Sequence, residues 1–172
     1  MSIVDVIKNR RSIRKYKNKD VSLNLLMELI DAAKWAPSSK NRQPWEFIIT
    51  TDPQKIRKIA EAKGQKWIAG SPAIILGISD PNISPVYHMS DTAMAMHNIS
   101  LAAIQYGLGT CWLGIYEYEE IKKMFGIPKN KVLVGALTVG YPDEDPEPKE
   151  RKDIDEILCF EKYGNRKPLS NI

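Results

Sequence analysis

The chain has 172 residues, 43% of them hydrophobic and 27% charged, a balance close to the average soluble globular domain and far from disordered, collagen-like or disulfide-scaffold compositions. At this length folding buries roughly 70% of the surface that the unfolded chain exposes, so one domain with a full core is expected without metals or disulfides. The formal charge of +4 comes from 25 Lys and Arg scattered among 21 Asp and Glu; no basic tract with interleaved aromatics argues for nucleic acid, and no apolar run reaches the ~20 residues that cross a bilayer.

In chain order, the first expected element is a short helix from Ser2 to Asn9, with Ser2 as N-cap and Ile3, Val6 and Ile7 at helical spacing. Ser22 caps a second helix to about Trp35, whose stripe of Leu23, Leu26, Leu29, Ile30 and Ala33 must pack on a sheet before Pro37 stops it. A strand, Glu46 to Thr51, follows. Asp52 and Pro53 form an N-cap and N1 pair for a short helix carrying Ile56, Ile59 and Ala60 and ending near Gly64. Ala73 to Ser79 reads as a buried strand.

Ser90 to Tyr106 spreads its apolar residues nearly round a helix, which is expected to be buried on several sides, in the core or against a second subunit. Gly107 and Gly109 end it; Cys111 to Ile115 reads as an inner strand, Glu119 to Phe125 as a short helix and Val132 to Gly140 as the last strong strand. Tyr141 to Lys152, rich in proline and charge, is a surface connection. From Ile154 the remaining apolar residues are too few to fold alone and must lie on another surface. The fold class is α+β, helices around a mostly buried sheet.

The short amphipathic stretch from Met1 to Arg14, running into arginines, is not expected to act as a secretion signal. Cys111 and Cys159, far apart and without a CxxC pair, suit a reducing cytoplasm. His88 and His97 do not complete a metal-ligand spacing with them, so no metal is expected.

Four segments could carry chemistry. If the chain is extended after the first helix, Arg10, Ser12 and Arg14 project to one side, where guanidinium forks and a hydroxyl can hold a phosphate; alternatively, these arginines with Arg11 complement the carboxyl end of the helix and stay solvated. The loop from Pro37 to Trp45, with Ser38, Ser39 and Asn41, offers donors and acceptors for a heteroaromatic edge, or is an ordinary polar turn. Gly107 to Gly114 permits close backbone approach to a ligand but does not match a dinucleotide fingerprint, because it follows a helix and its third glycine is misplaced. Lys149 and Arg151, two apart, could reach one phosphate together, or form a solvated charge run.

Taken in this order, the segments resemble the nitroreductase family of FMN-dependent oxidoreductases. Arg10-Arg-Ser-Ile-Arg-Lys-Tyr16 is similar to its N-terminal RRSxRxF/Y motif, Ala36 to Trp45 to its APSxxNxQPW loop, Gly107 to Gly114 to its GLGTCWxG, and Val139 to Pro142 with Lys149 and Arg151 to its VGYP and basic phosphate clasp. The resemblance covers almost the whole chain. It implies an antiparallel-rich sheet surrounded by helices in an intertwined homodimer, with residues 1–172 as one FMN-binding domain and 153–172 as an arm on the partner subunit.

It also implies roles. Arg10, Arg11, Ser12, Lys149 and Arg151 would clasp the FMN phosphate and ribityl chain, with Arg14 near flavin N1 and O2; Pro37, Ser38, Ser39 and Asn41 would come from the partner subunit, and Leu113 and Gly114 would lie near N5. A further contact from the region around Gln65 is expected by position, without a motif to name it. No side-chain catalyst is implied, since the flavin carries the chemistry: hydride from NADH or NADPH to N5, then to a nitroaromatic, quinone or similar acceptor in ping-pong order. The short spans from Ser79 to Ser90 and from Ile115 to Val132 leave little room for a lid. His97 and Asn98 are expected as core or interface polar groups. Reductive dehalogenation, flavin fragmentation and non-catalytic FMN binding are alternatives within the fold.

Overall fold

A computed structural model describes residues 2–116 and 118–166. Four strands, β1 (Trp45–Thr50), β2 (Ala73–Ser79), β3 (Gly109–Leu113) and β4 (Val132–Gly140), form one antiparallel sheet in the order β1-β2-β4-β3. The two central strands are apolar on both faces, and all of β2 is buried. Alternation divides them: Ala73 and Ile75 of β2 with Leu137 and Val139 of β4 enter one core, while Ile74, Leu76 and Ile78 with Leu133 and Ala136 enter the other. A bulge after Gly77 shifts the β2–β4 register.

Helices cover both faces. The first core is closed by α2 (Leu23–Ala33), capped by the Ser22 hydroxyl, and by α4 (His88–Gln105). The second is closed by α3 (Pro53–Lys63), a 3-10 turn over Lys66–Gly70, and α5 (Glu119–Met124). Asp52 caps α3 through its carboxylate and Pro53 opens it, as the sequence predicts; Gly64, at φ 66°, ends it in the left-handed conformation.

Boundaries move slightly. The expected helix at Ser90 begins at His88, and the expected strand at Cys111 begins at Gly109 because Gly109 and Thr110 already pair with Gly140 and Val139. The 3-10 turns at Ser39–Asn41 and Lys66–Gly70 carry no apolar period and were not anticipated. In the single chain α4 is buried along one face: Ala95, Met96, Ile99 and Ala103 are inside, while Met89 and Met94 remain over a third exposed.

Two elements rest on little else. α1 (Ile3–Asn9) has a complete capping box between Ser2 and Asp5 yet buries no residue, and Ile3, Val4 and Ile7 are all more than half exposed. In the tail, α6 (Ile154–Ile157) leaves Ile154 and Ile157 exposed. The end of the expected arm, 167–172, lies outside the described residues.

Candidate functional site

The backbone turns extended at Arg10 and runs along the outer edge of β3. Ser12 bridges Thr110, Ile13 donates its amide to the Thr110 carbonyl at 3.0 Å, and Tyr16 bridges Pro142. Ile13 points inward and is 5% exposed. Its neighbours therefore face out, as the extended reading predicts.

The segment from Tyr141 to Pro146, expected as a surface connection, fastens along this stretch. Lys17 N–H donates to the Tyr141 carbonyl and Asp143 N–H to the Lys15 carbonyl, both at 2.9 Å. The Glu144 carboxylate accepts from the successive amides of Arg14 and Lys15. This contact brings Lys149 and Arg151 to the same place as Arg10, Ser12 and Arg14. Together with Ile7, Lys8, Arg11, His97 and Pro146 they line a groove of about 480 Å³.

The groove is electropositive. Among the described residues, no side-chain nitrogen of Arg10, Arg14, Lys149 or Arg151 forms an ion pair within 4 Å of a carboxylate oxygen, although Glu147 also lines the groove. Such converging, unpaired cations suit an anion with several oxygens. Arg11 differs from the others: its Nη1 donates to the carbonyls of Lys8 and Arg10 and its Nε to that of Pro146, so it mainly closes the end of α1 and builds the groove wall. His97, expected as a core or interface group, is exposed in the chain and faces the groove. Asn98 turns the other way and donates to the Ala32 carbonyl of α2 at 3.4 Å.

Beneath the arginine segment lies a buried polar chain. The Tyr16 hydroxyl donates to the Ile13 carbonyl at 2.7 Å and pairs with Thr138 Oγ1 at 2.6 Å. Burial pushes the phenol well above its ordinary pKa, which keeps it a neutral donor. Burial likewise raises the Cys111 thiol, against the pull of Arg14, Ser12 and Arg10, so this cysteine is a packed, protonated group.

The Pro37–Trp45 loop stands elsewhere. Its Ser39 amide donates to the buried Asp91 carboxylate in the first turn of α4 at 3.2 Å, Gln43 N–H donates to Ser38 Oγ, and the Pro44 carbonyl accepts from Asp80 N–H at 2.8 Å. Lys40, Asn41 and Gln43 all have φ near +50°, a conformation held by these anchors rather than by residue preference. None of Pro37, Ser38, Ser39 and Asn41 lines the arginine groove. The groove meets α4 at His97, about 9 Å further along the helix axis than Asp91.

At the far end of β3, Leu113 is 1% exposed and its side chain belongs to the second core. Gly114 is joined to α3, where Lys63 Nζ donates to its carbonyl at 2.8 Å. One turn on, Trp67 places its ring 5.9 Å from the Arg14 guanidinium. In the region around Gln65, Lys63 and Trp67 are the residues that reach across to the β3 end and the arginine segment. Glu144, Asp91, Lys63 and Trp67 escaped the sequence reading because each acts across 50 or more residues; the acid directly following Tyr-Pro-Asp was the one local hint. No group of three His, Cys, Asp or Glu among the described residues could hold a metal ion, and no helix among them is long and apolar enough to cross a membrane.

Comparison with known proteins gives the family and the fold. Residues 7–74 and 59–141 match the model of the Nitroreductase family. A protein of Archaeoglobus fulgidus named "Putative NADH dehydrogenase/NAD(P)H nitroreductase" is 37% identical over 157 residues, covering 86% of this chain and 90% of its own. A crystal structure from Parabacteroides distasonis bearing the same name superposes with a TM-score of 0.88 at 31% identity, over 94% of this chain and 98% of that one. An FMN-dependent nitroreductase from Clostridium difficile superposes with a TM-score of 0.84 at 28% identity, over 93% and 99%.

Proposed function

The chain belongs to the nitroreductase family, and from that premise we propose that it is a homodimeric oxidoreductase that binds FMN and passes hydride from NADH or NADPH to a nitroaromatic, quinone or similar small acceptor. The observation that carries the reading is the convergence of Arg10, Ser12, Arg14, Lys149 and Arg151 on one groove without carboxylate partners. The name of the Clostridium difficile relative supports FMN as the ligand. When bound, FMN supplies the hydride chemistry through N5, the donor leaving before the acceptor enters.

The chain's own residues bind and orient. Arg10, Ser12, Lys149 and Arg151 hold the phosphate and the polyol near it, while Arg11 keeps the groove in shape. Arg14 sets a fixed positive charge at the ring side of the groove, where it favours added negative charge. Leu113 and Gly114, whose carbonyl Lys63 holds, lie along the flavin near N5. Pro37, Ser38, Ser39 and Asn41 complete the site from the second subunit, which is why they lie apart from the groove in one chain.

The dimer has its own support. Ile3, Val4 and Ile7 of α1, Val86 and Tyr87 before α4, Met89 and Met94 on it, and Ile154 and Ile157 of the tail are large apolar side chains more than a third exposed. So much uncovered apolar surface marks a contact face. Residues 1–172 then form one flavin-binding domain, with 153–172 lying on the partner. The charge distribution gives nucleic acid no footprint, and a cytoplasmic location fits the nicotinamide donor.

Purification tests the reading directly: a yellow protein with about one FMN per chain and NAD(P)H turnover with a nitroarene or quinone supports it. A colourless protein that takes up no FMN overturns it, and bound FMN that neither nicotinamide reduces points to the non-catalytic alternative. Sedimentation showing a monomer that retains FMN at micromolar concentration removes the dimer.

A further inference from the structure

Arg14 is held at both ends. Its amide donates to the Glu144 carboxylate, which also binds the amide of Lys15 at 3.1 Å. Its guanidinium carbon lies 5.9 Å from the centre of the Trp67 ring, and Nη1 turns back to the Ser12 carbonyl at 3.4 Å. The arginine is exposed, so without such a hold its long side chain would sample many rotamers in water.

Trp67 is suited to the task. It sits in the 3-10 turn Lys66–Gly70 next to Ile68, which is fully buried, and its own ring packs on the second core. The turn follows α3, whose Lys63 is tied to the Gly114 carbonyl. The indole is therefore a plate fixed to the same framework that carries the Gly114 backbone. A guanidinium lying on an aromatic face keeps its in-plane N–H groups free, which a carboxylate partner would occupy.

We infer that Trp67 is a positioning residue for Arg14: its indole face holds the guanidinium where it meets the flavin ring, and so sets how strongly the site favours the reduced cofactor. This rests on the flavin reading above. A fixed cation attracts the reduced, more negative ring more than the oxidised one; a cation free to swing into water is screened and discriminates less. Trp67 does not touch the reacting atoms in this role.

The test is the midpoint potential of bound FMN in the wild type, Trp67→Phe, Trp67→Leu, Arg14→Ala and the double variant Trp67→Leu/Arg14→Ala. Trp67→Leu, which keeps apolar packing without an aromatic face, should cut the preference for reduced over oxidised FMN about threefold, equivalent to about 14 mV at 29.6 mV per tenfold. Trp67→Phe should restore most of it. In the Arg14→Ala background the Trp67→Leu change should move nothing further.

An unshifted potential in Trp67→Leu overturns the inference, and so does an equal shift with and without Arg14, which would mean that the indole acts on the ring directly. A wild type that binds FMN while Trp67→Leu stays unshifted sinks this inference alone; a wild type that binds no FMN sinks the flavin reading with it. Should Trp67→Leu fail to fold, tryptophan emission of the flavin-free protein carries the test: Arg14→Ala should change it in the wild-type background and not in Trp67→Phe, and the same change in both would overturn the contact.

Discussion

Ile13 fills the space that a side chain at position 109 would need: a Cβ on Gly109 would lie 2.5 Å from Ile13 Cγ1 and 3.0 Å from Pro142 Cγ. The glycine lets the arginine segment lie flat on β3, with Ser12 and Arg14 on either side of the buried Ile13. Gly109→Ala should therefore destabilise the fold by about 1 to 3 kcal/mol through overpacking and weaken FMN binding roughly fivefold, about 1 kcal/mol. In an Ile13→Ala background the same change should cost much less, a coupling that denaturant melts of the four proteins measure.

The groove cations should separate by redox behaviour. In the proposed site Arg151→Ala would remove a contact to a phosphate whose charge is the same in both redox states, so affinity should fall by about 1.5 to 3 kcal/mol with the potential unmoved. Arg14→Ala should lower the midpoint potential by ~30 mV, about 1.4 kcal/mol for a two-electron couple. Redox titration at saturating FMN decides; a shifted potential in Arg151→Ala with none in Arg14→Ala would reverse the two assignments.

Asp91 should govern the Pro37–Trp45 loop. Lys40 and Arg42 are exposed there, and the left-handed backbone at Lys40, Asn41 and Gln43 is retained through the Ser39–Asp91 hydrogen bond. Asp91→Ala should make tryptic cleavage after Lys40 and Arg42 several-fold faster while the rest of the chain stays resistant. Asp91→Asn, which keeps an acceptor oxygen, should remain near the wild type.

How much of this was legible depended on range. Capping and periodicity are written in neighbouring residues, so Ser22, Asp52–Pro53 and the β2 and β4 strands could be read directly. The arginine cup could be read as well, because alternation puts Arg10, Ser12 and Arg14 on one side once the segment is extended. What could not be read was the holding of these residues: Glu144 meets Arg14 across 130 positions and Asp91 meets Ser39 across 52, and neither pair leaves a local period.

Asp80, Lys131 and Glu46 predict a pH dependence of stability. Lys131 Nζ lies 2.7 Å from Asp80 and 2.6 Å from Glu46, tying the start of β4 to the exit of the Pro37–Trp45 loop. The Lys131 hydrogen bond lowers the Asp80 pKa, and the same partner raises that of Lys131. Asp80's contribution is thus complete above its unfolded value of about 3.9 and is lost as pH falls through its lower folded value; Lys131's is complete below about 10.4 and is lost as pH rises through its higher folded one. Asp80→Asn should flatten the acid limb of a stability–pH curve from chemical denaturation, and an unchanged limb would show the pair to be idle.

The fastening of Arg14 to Glu144 and of Arg11 to Pro146, across 130 and 135 positions, sets an order of events during synthesis. The arginines emerge from the ribosome first; their segment can pair with Thr110 once β3 has been made, but Glu144 and Pro146 become available only after some 130 further residues, an interval of about 7 to 26 s at ordinary translation rates. The outer edge of β3 can therefore be covered as soon as it forms, while the groove wall closes later. The groove proposed for the cofactor is thus completed by one late step, and a nascent chain stalled before Glu144 would lack its wall while keeping the β3 edge covered.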